Sequence, residues 1–168
     1  YESMTRSESQ AKVPLDFTMW TQTDNHPVEG LGTGRTQNLS WIAAKGDTRL
    51  VLPVMQTLDE DDWGGCLNDR ASAEKLFGNA NAVGSTVKMA GEEYIVRGVL
   101  EGPGRTMVTQ LARESSQVLE NITVAGVEDT ETFLLRHGLI AAVTVKSSTW
   151  LALARIFTLA PYLSAILV

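Results

Sequence analysis

The chain has a single cysteine, Cys66. It therefore has no internal disulfide, and Cys66 cannot by itself build a thiolate cage for a metal. Histidine is nearly as scarce: His26 and His137 are the only imidazoles, and neither lies in a zinc-protease pattern such as H-E-x-x-H. Basic charge is in deficit. Fourteen Lys and Arg stand against twenty Asp and Glu, a formal net charge of −6. That argues against nucleic acid as a partner, because a nucleic-acid module needs a basic face. Neither Ser115-Ser116 nor Ser147-Ser148 lies in a G-x-S-x-G nucleophile elbow. What is present is ordinary: 43% hydrophobic and 20% charged residues exclude wholesale disorder. A length of 168 residues suits one domain or two small lobes around a shared core.

The average conceals two unlike parts. The last acidic residue is Glu131, and beyond it come Arg136, Lys146 and Arg155, so that stretch carries +3 and leaves −9 for the part before it. From Thr149 the sequence reads TWLALARIFTLAPYLSAILV, with Arg155 its only charge. An exposed apolar run invites association. Two readings stand: a packing helix bent or started at Pro161, or a juxtamembrane helix. The uncharged run from Ile156 is 13 residues long, short of the roughly 20 that span a bilayer. The opening YESMTRSESQ is polar and has no secretory signal pattern; the expectation is a loop or mature product of a longer protein.

Periodicity divides the remainder into short elements. Residues 13–22 alternate Leu15, Phe17 and Met19 with polar neighbours, which predicts a strand. Residues 24–35 hold Pro27, Gly30, Gly32 and Gly34 and read as a loop. Residues 37–44 and 49–55 read as two strands around a Lys45-Gly46-Asp47 turn. Asp59, Glu60, Asp61, Asp62 and Trp63 form an acidic turn or a single helical turn, followed by Gly64-Gly65. Asn68 is placed to cap a short helix over 69–77, with Gly78 at its C-terminal cap. Residues 85–89 and 93–100 form a hairpin around Gly91, with Val87, Met89, Tyr94 and Val96 inward and Lys88 and Arg97 outward. Residues 106–116 are ambiguous. A strand over 118–125, a helix from Asp129 or Thr130 to His137, and a strand over 140–146 complete a mixed α+β reading.

The stretch CLNDRASAEKLFGNANAVGSTVKMAGEEYIVRGVL, residues 66–100, resembles the extracytoplasmic core domain of MacB/FtsX-like ABC transporter permeases. The features that carry the resemblance are Asn68 at the helix cap, Leu76-Phe77-Gly78 at the helix end, Val83-Gly84 in the loop, Gly91 in the hairpin turn, and the closing VRGVL strand with Gly98. Leu58-Asp59-Glu60-Asp61-Asp62 resembles the acidic segment that precedes this motif. These are packing positions, so the motif speaks for fold and not for catalysis. The 24–35 segment departs from the larger members, which place a helix after the first strand, and suggests a reduced version.

The resemblance implies α+β architecture with mixed or antiparallel sheets, few short helices, and a C-terminal apolar helix. It implies an extracytoplasmic core domain over 1–148, made of a β-rich part (13–55), the helix–hairpin motif (58–104) and a β-α-β part (118–146). Residues 149–168 follow as a juxtamembrane or packing helix. It further implies a non-enzymatic cell-membrane protein with no cofactor. Such a protein works with its own transmembrane helices, a second permease subunit, a cytoplasmic ATP-binding subunit, and an external partner or substrate. ATP-driven helix movement would be passed on mechanically to that partner. Loops on a rigid scaffold usually carry recognition. The expected contacts are therefore His26 and Glu29 in the 24–35 segment, and Asp59, Glu60, Asp61, Asp62 and Trp63.

Two alternatives come from other classes. The acidic run could ligate Ca²⁺ or Mg²⁺ in a small metal-dependent enzyme, although it lacks the spaced ligands of an EF-hand; a solvated turn is the simpler reading. A stand-alone ligand-binding domain with a buried tail is the other. Cys66 could serve as a nucleophile only with a nearby His; in an apolar strand it reads as a small buried hydrophobe. Gly30-Leu31-Gly32-Thr33-Gly34 lacks the strand, helix and Lys of a phosphate loop.

Overall fold

A computed structural model describes residues 1–10, 16–52, 56–101, 104–125 and 130–139. They fall into two units, one within Tyr1–Glu128 and one within Asp129–Val168.

The first unit opens with helix α1 (Glu2–Ser9), followed by strands β1 (Phe17–Gly30) and β2 (Arg35–Lys45). A 3-10 turn (Thr48–Leu50) leads to β3 (Gly65–Asp69), helix α2 (Arg70–Phe77), β4 (Thr86–Met89), β5 (Glu92–Leu100), β6 (Thr106–Gln110) and β7 (Asn121–Val124). The strands form a seven-stranded sheet in the order β2-β6-β3-β5-β4-β1-β7. Because β1 also pairs along β2, six of the strands close on themselves. The pairs β2–β6 and β3–β5 are parallel and the others antiparallel. The architecture is thus α+β with a mixed sheet, as the sequence indicates.

Alternation splits the apolar residues between the two sheet faces. One cluster takes Val28, Leu39, Cys66, Val87, Met89, Val96 and Met107 from the six ring strands, together with Ala73 and Leu76 of α2. The other takes Ile42, Leu67, Leu100 and Val108 with Leu58. Neighbours in sequence, such as Cys66 and Leu67 or Met107 and Val108, go to opposite clusters, which is the period of two that a pleated strand imposes.

Helix α2 shows how the local chemistry sets an element. Asp69, not Asn68, is the N-cap: its Oδ1 accepts from the Ser72 amide at 3.0 Å. Its Oδ2 accepts from the Ser72 hydroxyl and, at 2.7 Å, from the Thr106 amide at the start of β6. One carboxylate therefore caps the helix and ties it to the sheet. Asn68 continues β3 instead. It is fully buried and its amide finds no hydrogen-bond partner. At the other end Gly78 adopts φ 75°, a left-handed cap that glycine takes without steric cost. Leu76 is fully buried, worth about 2 kcal/mol for a leucine side chain.

The other hairpin-motif positions behave as expected. Gly84 and Gly91 have φ of 85° and 92°, and β4 and β5 pair across 90–91 with Val87 opposite Tyr94. At Gly98 a Cβ would run into the Gln56 side chain and lie 3.1 Å from Leu67 Cδ2, so the close approach is real.

Two further expectations are corrected. The 24–35 segment is not a loop: β1 runs through His26, Pro27 and Glu29 to Gly30, and only 31–34 turn. Proline is tolerated because β1 between its β7 and β4 contacts has β2 on one side and no described strand on the other. A register shift between Thr23 and His26, with Asn25 at φ 63°, absorbs the local strain. The predicted strand 49–55 is a 3-10 turn where described. The Asp47 side chain accepts from the Arg49 amide at 2.9 Å, and the Thr48 hydroxyl accepts from the Leu58 amide at 3.2 Å. Such side-chain bonds outcompete a strand ladder. The polar start forms α1 with Met4 buried.

The ambiguous 106–116 segment supplies β6, and β7 answers to the strand expected over 118–125. In the second unit helix α3 (Thr130–Arg136) is followed by Gly138 at φ 62°, as the sequence suggests. The strand expected over 140–146, Trp150 and the apolar segment 149–168 lie outside the described residues. Among the described residues no helix is long and apolar enough to cross a membrane.

Candidate functional site

The residues singled out from sequence divide between two faces. His26 lies on the face of Trp41, stacked edge-on against it at 5.2 Å between ring centroids. Its Nε2 is 2.7 Å from the Thr23 hydroxyl. It is a half-buried strand residue with partners. The turn after β1 is also pinned: the Leu31 amide donates to Thr86 O at 2.9 Å, and the Thr33 hydroxyl donates to Leu76 O at 2.6 Å, at the end of α2. Glu29 points the other way, since Val28 beside it is in the interior cluster.

That other face gathers the rest. Glu29 is opposite Lys88 in β4, and Lys88 is opposite Glu93 in β5. Two residues along, Thr86 is opposite Ile95, and Ile95 is opposite Gly65 at the start of β3. The acidic turn enters β3 directly beside this row. The Asp62 amide donates to Asp59 O at 3.0 Å and the Gly65 amide to Asp62 O at 3.3 Å. The Ile95 amide donates to Gly64 O at 2.8 Å and so fastens the turn to β5.

Arg97 completes the fastening. Its Nε donates to Asp62 Oδ2 at 2.8 Å and its Nη2 to Oδ1 at 3.1 Å. This is a bidentate pair, the strongest arrangement for a guanidinium and a carboxylate. A shift in register between Cys66 and Leu67 brings Arg97 to this position. Asp59, Glu60 and Asp61 stay exposed, and Trp63 is 42% exposed.

Burial pushes the Cys66 thiol up to about 12, with the nearby Asp62 carboxylate adding to the shift. A thiol so held stays protonated and unreactive near neutrality. Asp62 is engaged with Arg97. Among the described residues no three of His, Cys, Asp and Glu come together in a way that could hold a metal ion. A cavity of about 400 Å³ runs between α1 and the sheet, lined in part by Tyr1, Phe17, Asp47, Arg49 and Glu60. Burial and the Glu60 charge raise the Tyr1 hydroxyl above its usual range. This cavity was not readable in the sequence because α1 was not.

Ile95 is the surface residue of this row that sequence reasoning missed. The signal existed for Ile95: if Tyr94 and Val96 point inward, the residue between them points out.

The fold has known counterparts. It is similar to the crystal structure of the periplasmic region of MacB from Actinobacillus actinomycetemcomitans, with a TM-score of 0.57 and 16% identity over 82% of this chain and 69% of that one. It is also similar to the extracellular domain of the noncanonical ABC-type transporter YknZ from Gram-positive bacteria, with a TM-score of 0.61 and 15% identity over 84% of this chain and 86% of that one. The resemblance carried by residues 66–100 thus extends, as fold, over most of the chain. No family model and no curated protein sequence matches it.

Proposed function

We propose that this chain is the extracytoplasmic domain of an ABC transporter permease, a non-enzymatic element that couples ATP-driven movement of transmembrane helices to a partner or substrate outside the cell. The observation that carries this reading is the shared fold with two transporter domains of that location over 82% and 84% of the chain. Fold alone does not assign function. The local chemistry agrees with the assignment: a deeply buried, protonated Cys66 and an outer sheet face that offers contacts.

In this reading the closed sheet of the first unit is the rigid body that transmits movement. Its core comes from every ring strand and α2, and packing at this density resists deformation. Residues 149–168 lead the chain back toward the membrane. The partners are the protein's own transmembrane helices, a second permease subunit, an ATP-binding subunit on the cytoplasmic side, and an external molecule that meets the surface around Asp59, Asp61 and Trp63. His26, stacked on Trp41, serves the sheet more than that contact.

The test is co-purification. The full gene product, extracted from membranes in mild detergent, is expected to bring down an ATP-hydrolysing subunit. Recovery of a complex-free protein with no ATPase activity would argue against the permease reading.

A further inference from the structure

Among the described residues of the first unit, the exposed large hydrophobic side chains are Trp63 (42%), Val83 (55%), Ile95 (40%) and Val118 (71%). Two of these four, Trp63 and Ile95, are brought together. Ile95 is opposite Gly65 on one side and Thr86 on the other. Trp63 is two residues before Gly65. Val83 stands apart: β4 is antiparallel to β5, so the loop before Thr86 runs past Val96, whose O accepts from the Gly84 amide at 2.8 Å. β3 is parallel to β5, so with adjacent strands about 4.8 Å apart the bond from the Ile95 amide to Gly64 O sets Trp63 beside Ile95 at the entry to β3. The turn is held rigid by Arg97 on Asp62 and by the Ile95 amide on Gly64 O. A preorganised apolar patch loses little freedom on binding, and an exposed Trp is the residue type that most often anchors an interface.

The charge around the patch identifies what it fits. Asp59 and Asp61 flank it on the turn, and Glu93 and Glu29 line the next row of the same face. Arg97 is neutralised by Asp62, and Lys88 lies between Glu29 and Glu93 in register. A second copy presenting the same face would bring carboxylates against carboxylates, and an anionic lipid surface would be repelled in the same way. The geometry points to the outer face of β5 and β4 beside the 59–64 turn, centred on Trp63 and Ile95, as a docking surface for a polypeptide segment that carries Lys or Arg beside apolar side chains. This deepens the permease reading by giving the chemistry of the external partner, and rests on it for the partner's existence.

The test uses the 168-residue chain labelled with ¹⁵N. It is titrated with three synthetic peptides: an amphipathic Lys/Leu peptide, the same pattern with Glu for Lys, and one with Ser for Leu. The Lys/Leu peptide is expected to shift the amides of Gly64, Gly65 and Ile95, and the other two are not. Trp63→Ser with Ile95→Thr is expected to weaken binding by about tenfold or more, as loss of a central anchor does. Asp59→Asn with Asp61→Asn is expected to weaken it and reduce its salt dependence. Trp63→Ser alone, a change in the exposed turn outside the strands, is expected to weaken it as well and serves if the pair perturbs folding. The inference is overturned by no binding, by binding that these variants leave unchanged, by the Glu/Leu peptide or anionic vesicles producing the same shifts, or by self-association through the same amides. The titration involves no transporter activity, so its failure removes the docking surface and leaves the permease reading standing.

Discussion

Arg97 holds Asp62 at two points, Nε to Oδ2 at 2.8 Å and Nη2 to Oδ1 at 3.1 Å, and Gly65 is the residue that leaves them room. A Cβ on Gly65 would overlap the Asp62 carboxylate and sit 2.9 Å from Arg97 Cγ. Two substitutions that touch the same pair should therefore differ. Arg97→Ala removes a largely exposed ion pair and is expected to cost no more than about 1 kcal/mol. Gly65→Ala drives a methyl group into the Asp62 carboxylate and the Arg97 stem, displacing both from β3, and is expected to cost about 1–3 kcal/mol. Urea unfolding checks the order; equal costs would mean that the turn is not packed against β5 as described.

Asp69 and Asn68 make a second contrast. Asp69→Ala strips a cap and a cross-sheet bond from three donors, with an expected loss on the order of 3 kcal/mol. Asn68→Leu replaces a buried amide that has no partner and is expected to be neutral or stabilising by about 1 kcal/mol. Thermal melts of the two variants should move in different directions or by clearly different amounts. A large loss from Asn68→Leu would reinstate Asn68 as a hydrogen-bonded position.

Acid sensitivity has a definite sign at Asp47. The Arg49 side chain holds its carboxyl below the usual carboxylate range, with Arg49 Nη2 at 2.6 Å from Oδ2. A depressed folded-state pKa gives stability that is complete above the unfolded value, near 3.9 for Asp. That stability is lost as pH falls through the lower folded value. Asp47→Asn is therefore expected to be less stable than wild type at pH 7, with the gap closing as pH drops from about 5 toward about 2. The same direction applies to Glu101, which Arg70 holds low. A gap that widened on acidification would contradict the assignment.

Metal should not matter to the first unit. With Asp62 committed to Arg97 and no cluster of metal ligands among the described residues, Ca²⁺ or Mg²⁺ at about millimolar concentration, the range of weak extracellular sites, is expected to leave the melting temperature unchanged. A dose-dependent rise abolished by Asp59→Asn with Asp61→Asn would revive the metal-dependent alternative.

What the sequence revealed was the part governed by local rules. The span 66–100 was legible because its signals are short-range: a cap at one end of α2, Gly78 at the other, Gly91 in a two-strand turn. Even there the cap was placed one residue early. Asn68 and Asp69 are both good caps in isolation, and only the long-range bond from the Thr106 amide favours Asp69. The 24–35 segment misled because Pro27 and three glycines suggest a loop. Its strand depends on pairing with β2 and on an open edge at Pro27, which no local pattern reports. The acidic turn was visible from its composition. Its companion Ile95 was not, because cross-strand register, and not sequence distance, places it beside Trp63.

The most direct test of the central claim is the side of the membrane on which this chain lies in the full gene product. Cys66 is buried and protonated, so it gives little background to thiol labelling. Ser116, which is exposed, can be changed to Cys and probed in intact cells with a membrane-impermeant maleimide. Labelling of Ser116→Cys in intact cells, as strong as after membrane permeabilisation, is the predicted result. Labelling only after permeabilisation would place the chain in the cytoplasm and contradict the account.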